Sequence, residues 1–215
     1  IFNQKEVDEI IVIDIDASRY KKEPNFKLIE EFAGECFMPL TYGGGIKNIS
    51  QAKKLFSLGV EKICLQSAAF QNRKLISDLV NTFGSQSIVL SVDIKRNFWK
   101  EPKIFLEGKK FKSNQSWISI IKEIIPLGIG EILLNSVDKD GTLSGPDIEI
   151  ISKISNNIDI PLIALGGISS LSDIKKCLLG GASAVAAGSL FVYHGPHKAV
   201  LINYPEYKVI KSLFN

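Results

Sequence analysis

The stretch LSVDIKRN, Leu90 to Asn97, ends an apolar run on a single carboxylate, Asp93, and two cations follow at once. A carboxylate at the end of a buried strand can serve as general acid or base when its neighbours bring its pKa toward working pH, and Lys95 beside it could hold it ionised. It could equally cap the loop that follows. Two glycine-rich stretches offer a second kind of chemistry. YGGGIKN (Tyr42 to Asn48) and LGGISS (Leu165 to Ser170) each close an apolar run and open an amphipathic one. Gly44, Gly45, Gly166 and Gly167 either only make turns or also aim free backbone N–H groups at an anion, as phosphate sites at helix N-termini do. Gln66 and Ser67 follow the next apolar run in one case, Gly188 and Ser189 in the other, so each half offers a cradle and the ligand would carry a phosphate at both ends.

NSVDKDGTLSGPD (Asn135 to Asp147) concentrates Asp138, Asp140 and Gly141 in a stretch of turn formers. The alternation resembles a calcium loop, yet the distal bidentate Glu is missing, so a ligand-binding lid with backbone N–H groups from Gly141 and Thr142 is the better reading. Asp14 and Asp16 occupy the corresponding place earlier in the chain. Glu9, Lys62 and Glu131 precede apolar runs instead of following them. They are either solvated strand starts or, facing inward, a polar ring at one mouth of a barrel. His194 and His197 flank Gly and Pro in a loop, a poor metal site, and neither a metal nor a cofactor is assigned.

These residues must be positioned by an alternation of strands and helices. EIIVID, MPLTY, KICLQ, SIVLSVD, EILLNS, IPLIAL and SAVAAG read as strands, while NISQAKKLFSLG and SWISIIKEIIPLG have helical spacing. Strands without polar alternation suit a parallel sheet buried on both faces. A chain of 215 residues, 45% hydrophobic, is enough for one core, so residues 1–215 read as a single α/β domain. The net charge of +3 is weak and dispersed, and the basic clusters KRNFWKEPK and EGKKFK read as solvated loops, which argues against nucleic acid. Three cysteines, odd in number and far apart, argue for reduced thiols in a cytoplasm, and no apolar run is long enough to cross a bilayer.

The chain also repeats. Shifted by 122 positions, Asp8 to Phe70 lies on Gly130 to Val192 without a gap, and Pro39, Gly44, Gly45, Ile46, Ser50, Lys53, Lys54, Gly59 and Ser67 each meet an identical residue. A duplication of that length predicts two like half-barrels of four βα units, residues 8–70 and 130–192. The strand SIVLSVD then calls for a partner about thirty residues before residue 1. The expectation is a (βα)8 barrel of TIM type from which this chain lacks the first βα unit.

With YGGGI, TFGSQ, SVDIKR, GIGEILLNSVDKDGTLSGPD and LGGISS in this order, the chain resembles, from Asp8 to Phe191, the cyclase subunit of imidazole glycerol phosphate synthase, of histidine biosynthesis. The resemblance implies that Asp93 is one of two catalytic aspartates, the general acid, its partner lying in the absent first strand. It implies that Gly45, Gln66 and Ser67 hold one phosphate of a bisphosphorylated ribonucleotide, and Gly141, Gly167, Gly188 and Ser189 the other, with Asp14 and Asp140 orienting the substrate between them. Glu9, Lys62 and Glu131 would be the gate through which ammonia enters from a glutaminase subunit, the partner in a heterodimer, and Glu61 a docking residue for that subunit.

Two departures stand out. Gln66-Ser67 replaces the family's usual Asn-Thr, and the tail HGPHKAVLINYP resembles a paralogous branch found in surface-polysaccharide gene sets. Members of that branch are thought to pass ammonia, with a glutaminase-like subunit and a sugar amidotransferase, toward an acetamidino sugar. The functions in competition are an ammonia-dependent cyclase, a non-catalytic ammonia-channelling scaffold, and the sister isomerase, which the loop motifs make the weakest. With one aspartate of two, this chain on its own is expected to be poorly active.

Overall fold

Runs of Ile, Leu and Val with no polar alternation suit strands covered on both faces, which selects parallel pairing with crossover helices. In the computed structural model of the protein the described residues are 1–106, 113–195 and 197–213; the EGKKFK cluster lies outside them. The parallel strands are β1 (Ile10–Ile13), β2 (Leu40–Gly43), β3 (Lys62–Leu65), β4 (Ile88–Arg96), then, after a short β5 (Pro102–Ile104), β6 (Glu131–Ser136), β7 (Leu162–Leu165) and β8 (Ala184–Ala186). Their order is β1-β2-β3-β4-β6-β7-β8, a curled seven-stranded parallel sheet of TIM-barrel type, in agreement with the strands read from sequence. β5 was not foreseen. It folds back antiparallel on the far end of β4, pairing Ile94 with Ile104.

Among the described residues the end strands β1 and β8 do not pair with each other. Between them lies a cleft of about 490 Å³, walled by Ile10, Ile11, Ile163 and Val185 and roofed by Ile202 and Tyr204 of the tail. The Tyr204 hydroxyl donates to Asp8 Oδ2 at 2.6 Å, tying the tail to the segment before β1.

The crossovers include α2 (Phe26–Glu35), α3 (Ile49–Ser57), α5 (Arg73–Phe83), α6 (Trp117–Ile124), α7 (Ile148–Ser155) and α8 (Leu171–Leu179). Each starts on a side-chain cap of the kind that satisfies an orphan amide: Asn25, Asn48, Asn72, Ser116, Asp147 and Ser170. The helix expected in SWISIIKEIIPLG stops at Ile124 and tightens into a 3-10 turn, Ile125–Leu127, at Pro126. The main core lies between the outer face of the sheet and these helices, where Leu55, Ile76, Leu90, Ile121, Ile132 and Ile154 are buried. A smaller cluster, Cys64, Val89, Leu133 and Ile163, fills the inner face.

Turn glycines 122 positions apart adopt matching backbone angles. Gly44 and Gly166 have φ +123° and +104°, Gly45 and Gly167 +70° and +80°, Gly59 and Gly181 +99° and +98°.

Candidate active site

Period-two alternation decides which side chains enter the barrel, and the register fixes their depth. At the N-terminal end of the strands, the sequence left open whether Glu9, Lys62 and Glu131 face solvent. The structure turns all three inward and brings them together. Lys62 Nζ lies 3.1 Å from Glu9 Oε2 and 2.9 Å from Glu131 Oε1, and the Thr41 hydroxyl donates to Glu9 Oε1 at 2.7 Å. Burial alone would lower the Lys62 pKa, but hydrogen bonds to Glu131 and Glu9 outweigh it and raise it, so Lys62 bridges the two carboxylates. Glu61 is exposed on the rim beside it.

Above this ring the inner wall is mainly apolar, with the Ser91 side chain hydrogen-bonded to Cys64 as its polar member. Cys64, Val89, Leu133 and Ile163 form it, and burial pushes the Cys64 thiol up to about 12, so it lines the wall as a neutral group. Above them again, Asp93 of β4 stands in register with Asn135 of β6, which stands in register with Leu165 of β7 and, through it, Ala186 of β8. Asn135 Nδ2 donates to Asp93 Oδ1 at 3.3 Å, while its Oδ1 is buried without a partner and remains available as an acceptor. Lys95 Nζ lies 5.2 Å from the centre of the Phe105 ring.

At the same C-terminal end, Asp140, Gly141, Gly166, Gly167, Gly188 and Ser189 line one small recess. Gly166 and Gly167 are required there. A Cβ on Gly167 would stand 2.4 Å from the Gly145 carbonyl oxygen, and one on Gly166 would stand 2.8 Å from that of Ser136. Thr142 does not line the recess; its hydroxyl donates to the Lys139 carbonyl at 2.6 Å and stiffens the loop. On the other side of the barrel, the loop after β1 covers Gly44 and Gly45 in the same manner, through the carbonyls of Asp14 and Lys22. Asp14 itself caps α1 (Ile15–Arg19), accepting from the Ala17 amide at 2.9 Å, and Gln66 and Ser67 open α4 (Ser67–Gln71).

The sequence profile of the histidine biosynthesis protein family matches residues 1–198. The chain belongs to that family. A Pseudomonas aeruginosa protein provisionally named imidazole glycerol phosphate synthase subunit hisF2 is 48% identical over 211 residues, 96% of this chain and 82% of that protein. A Vibrio vulnificus protein provisionally named subunit hisF3 is 46% identical over 95% of this chain and 80% of its own length. The imidazole glycerol phosphate synthase subunit HisF of Dictyoglomus thermophilum is 39% identical over 88% of this chain and 75% of its own length. Within the family the chain is therefore of the HisF, cyclase-subunit type.

Two features of this HisF-family chain escaped the sequence reading. Asn135 reaches Asp93, and its signal was present: it keeps the inward phase of Glu131 and Leu133 and is the first polar residue on that face after Glu131. Arg96, expected in a solvated basic loop, is instead half-buried among carboxylates, with its Nη2 2.9 Å from both Asp147 and Glu149. Nothing local in KRNFWKEPK distinguishes Arg96 from its neighbours, because its partners lie some fifty positions on.

Proposed function

We propose that this chain is the cyclase subunit that uses ammonia from a glutaminase partner. In this reading it converts a bisphosphorylated ribulosyl-formimino aminoimidazole carboxamide ribonucleotide into imidazole glycerol phosphate and an aminoimidazole carboxamide ribonucleotide. One observation carries the reading: the Glu9–Lys62–Glu131 ring and Asp93 share the inner face of one strand ring at opposite ends. Glu131 and Asn135, four residues apart on β6, span about 13 Å along the strand, a path of small length for ammonia. Ammonia enters past Lys62, moves along the apolar wall of Cys64, Val89 and Leu133, and emerges at the carboxylate that manages protons.

In this reading Asp93 is the general acid, oriented by Asn135, and a second carboxylate serves as base from a βα unit that pairs with both β1 and β8. Two phosphate cradles hold the ends of the substrate. Gly44, Gly45, Gln66 and Ser67 form one, and Gly141, Gly166, Gly167, Gly188 and Ser189 the other, with Asp14 and Asp140 between them. Glu61 meets the glutaminase beside the ring.

The test uses the protein encoded at its native locus, purified with its glutaminase partner, and follows substrate loss with ammonium salts and with glutamine. Asp93→Asn, equal in size, should lower kcat by about 10²–10⁴-fold. Wild-type protein without turnover under either nitrogen source sinks the cyclase reading.

A second reading has its own support. The chain is 46–48% identical to two relatives numbered hisF2 and hisF3, against 39% for the Dictyoglomus subunit, while a Leptospira relative without such a number is 49% identical. In it, the same conduit delivers ammonia to a sugar amidotransferase, and the cyclase chemistry is vestigial. Complementation of a cyclase-deficient histidine auxotroph separates the two: growth supports the cyclase, whereas failure with glutaminase activity still rising on mixing supports the conduit.

A further inference from the structure

One residue closes both ends of the loop that forms the recess. Arg96, the last residue of β4, donates its backbone N–H to Asp138 Oδ2 at 2.8 Å, where the loop leaves β6. Its guanidinium reaches the other end. Nε lies 3.1 Å from Asp147 Oδ2, and Nη2 lies 2.9 Å from the same oxygen and 3.1 Å from Oδ1. Nη1 donates to the Lys100 carbonyl at 2.9 Å, which fixes the turn beyond β4 as well. The Arg96 and Asp147 side chains are 24% and 12% exposed, so the pair is partly shielded from solvent, and a lysine could not match the planar fork.

The cap on α7 does not need the charge of Asp147. Asn25, 122 positions earlier, caps α2 by accepting from the Leu28 amide at 3.3 Å, the distance at which Asp147 accepts from Ile150. A neutral amide does that work equally well. The carboxylate at position 147 therefore answers to Arg96. Between the two anchors, Asp140, Gly141 and Leu143 line the recess, and the Gly145 amide donates to the Gly167 carbonyl at 2.8 Å.

The geometry points to Arg96 as a positioning residue: it holds the recess loop in register with the strand that carries Asp93, so that a phosphorylated ligand meets a preformed cradle. The kinetic arm of this inference rests on the cyclase reading; the binding arm does not. Asp147→Asn keeps the cap and removes the ion pair. In the native protein with its glutaminase partner, it should raise KM for the bisphosphorylated substrate about 10-fold while kcat changes less than about 3-fold, since a preorganisation cost falls on binding. Arg96→Gln should do the same, and the double variant should lose no more than either single change, the signature of two residues acting as one unit. Inorganic phosphate, titrated by calorimetry, should bind the Asp147→Asn protein about 10-fold more weakly than wild type.

Unchanged KM and phosphate affinity in Asp147→Asn, additive losses in the double variant, or a fall in kcat that merely tracks a lower Tm would each overturn the role. The two readings fail separately. Weakened phosphate binding in a wild-type protein that shows no turnover keeps the Arg96 role and removes the cyclase. Normal turnover with unaltered KM in the variant does the reverse, and a wild-type protein with neither phosphate binding nor turnover removes both.

Discussion

Asp173 shows how a single side chain sets a pH limit. It is buried at the start of α8, where Oδ2 accepts from the Ser169 hydroxyl at 2.7 Å and amide at 3.2 Å, and Oδ1 meets Lys176 at 3.0 Å. Burial alone would raise its carboxyl, but these hydrogen bonds and the Lys176 ammonium outweigh it and bring the pKa down to about 2. In the unfolded chain the proton binds near pH 4, so the stabilisation is complete above about pH 4 and is lost as pH falls toward 2. Asp173→Asn should cost about 1–2 kcal/mol at pH 6, discounted for the exposed lysine, and urea melts should show the gap to wild type shrinking below pH 4. At this scale the sequence revealed residues that announce themselves by position, such as Asp93 at a strand end and the glycines at strand-to-helix turns. Arg96 and Asp173 were not legible, because their roles come from burial and from partners that folding supplies.

At the scale of elements, the helices owe their stability to the face they lay on the sheet more than to propensity. On α6, Ile121 has no exposed surface and packs in the main core, while Lys122 next to it is exposed. Ile121→Ala should destabilise by about 2–5 kcal/mol and Lys122→Ala by less than about 0.5 kcal/mol, a contrast that thermal unfolding will read directly. All seven parallel strands could be read from apolar runs; the inner ones are largely buried on both faces, and the end strands β1 and β8, though only partly covered, keep the same apolar run. β5 could not: it has three residues and begins with Pro102, which only an edge strand tolerates. What defines it is its pairing with β4, a long-range contact invisible in local pattern. The orientation of Glu9, Lys62 and Glu131 was likewise undecidable, since a strand start can point either way until register fixes its phase.

Across the whole molecule, the two ends of the strand ring differ in character, a Lys62-bridged pair of carboxylates below and glycine-lined loops above. Removing Lys62 leaves Glu9 and Glu131 facing one another in a partly buried site, which costs more than the pair's net worth. Lys62→Met should destabilise by about 1–3 kcal/mol, below the figure for fully buried pairs because these groups keep 21–28% exposure. In the proposed complex, turnover with ammonium salts should survive this change better than turnover with glutamine, and the ratio of the two rates measures the leak. Among the described residues the flanks of β1 and β8 are unpaired, and this bears on how the protein behaves in a tube. Each presents backbone donors and acceptors beside apolar walls, a template for another chain. The isolated 215-residue chain should therefore brighten a hydrophobic dye and sediment faster as its concentration rises, and Ile13→Lys, a charge on the β1 flank, should suppress both.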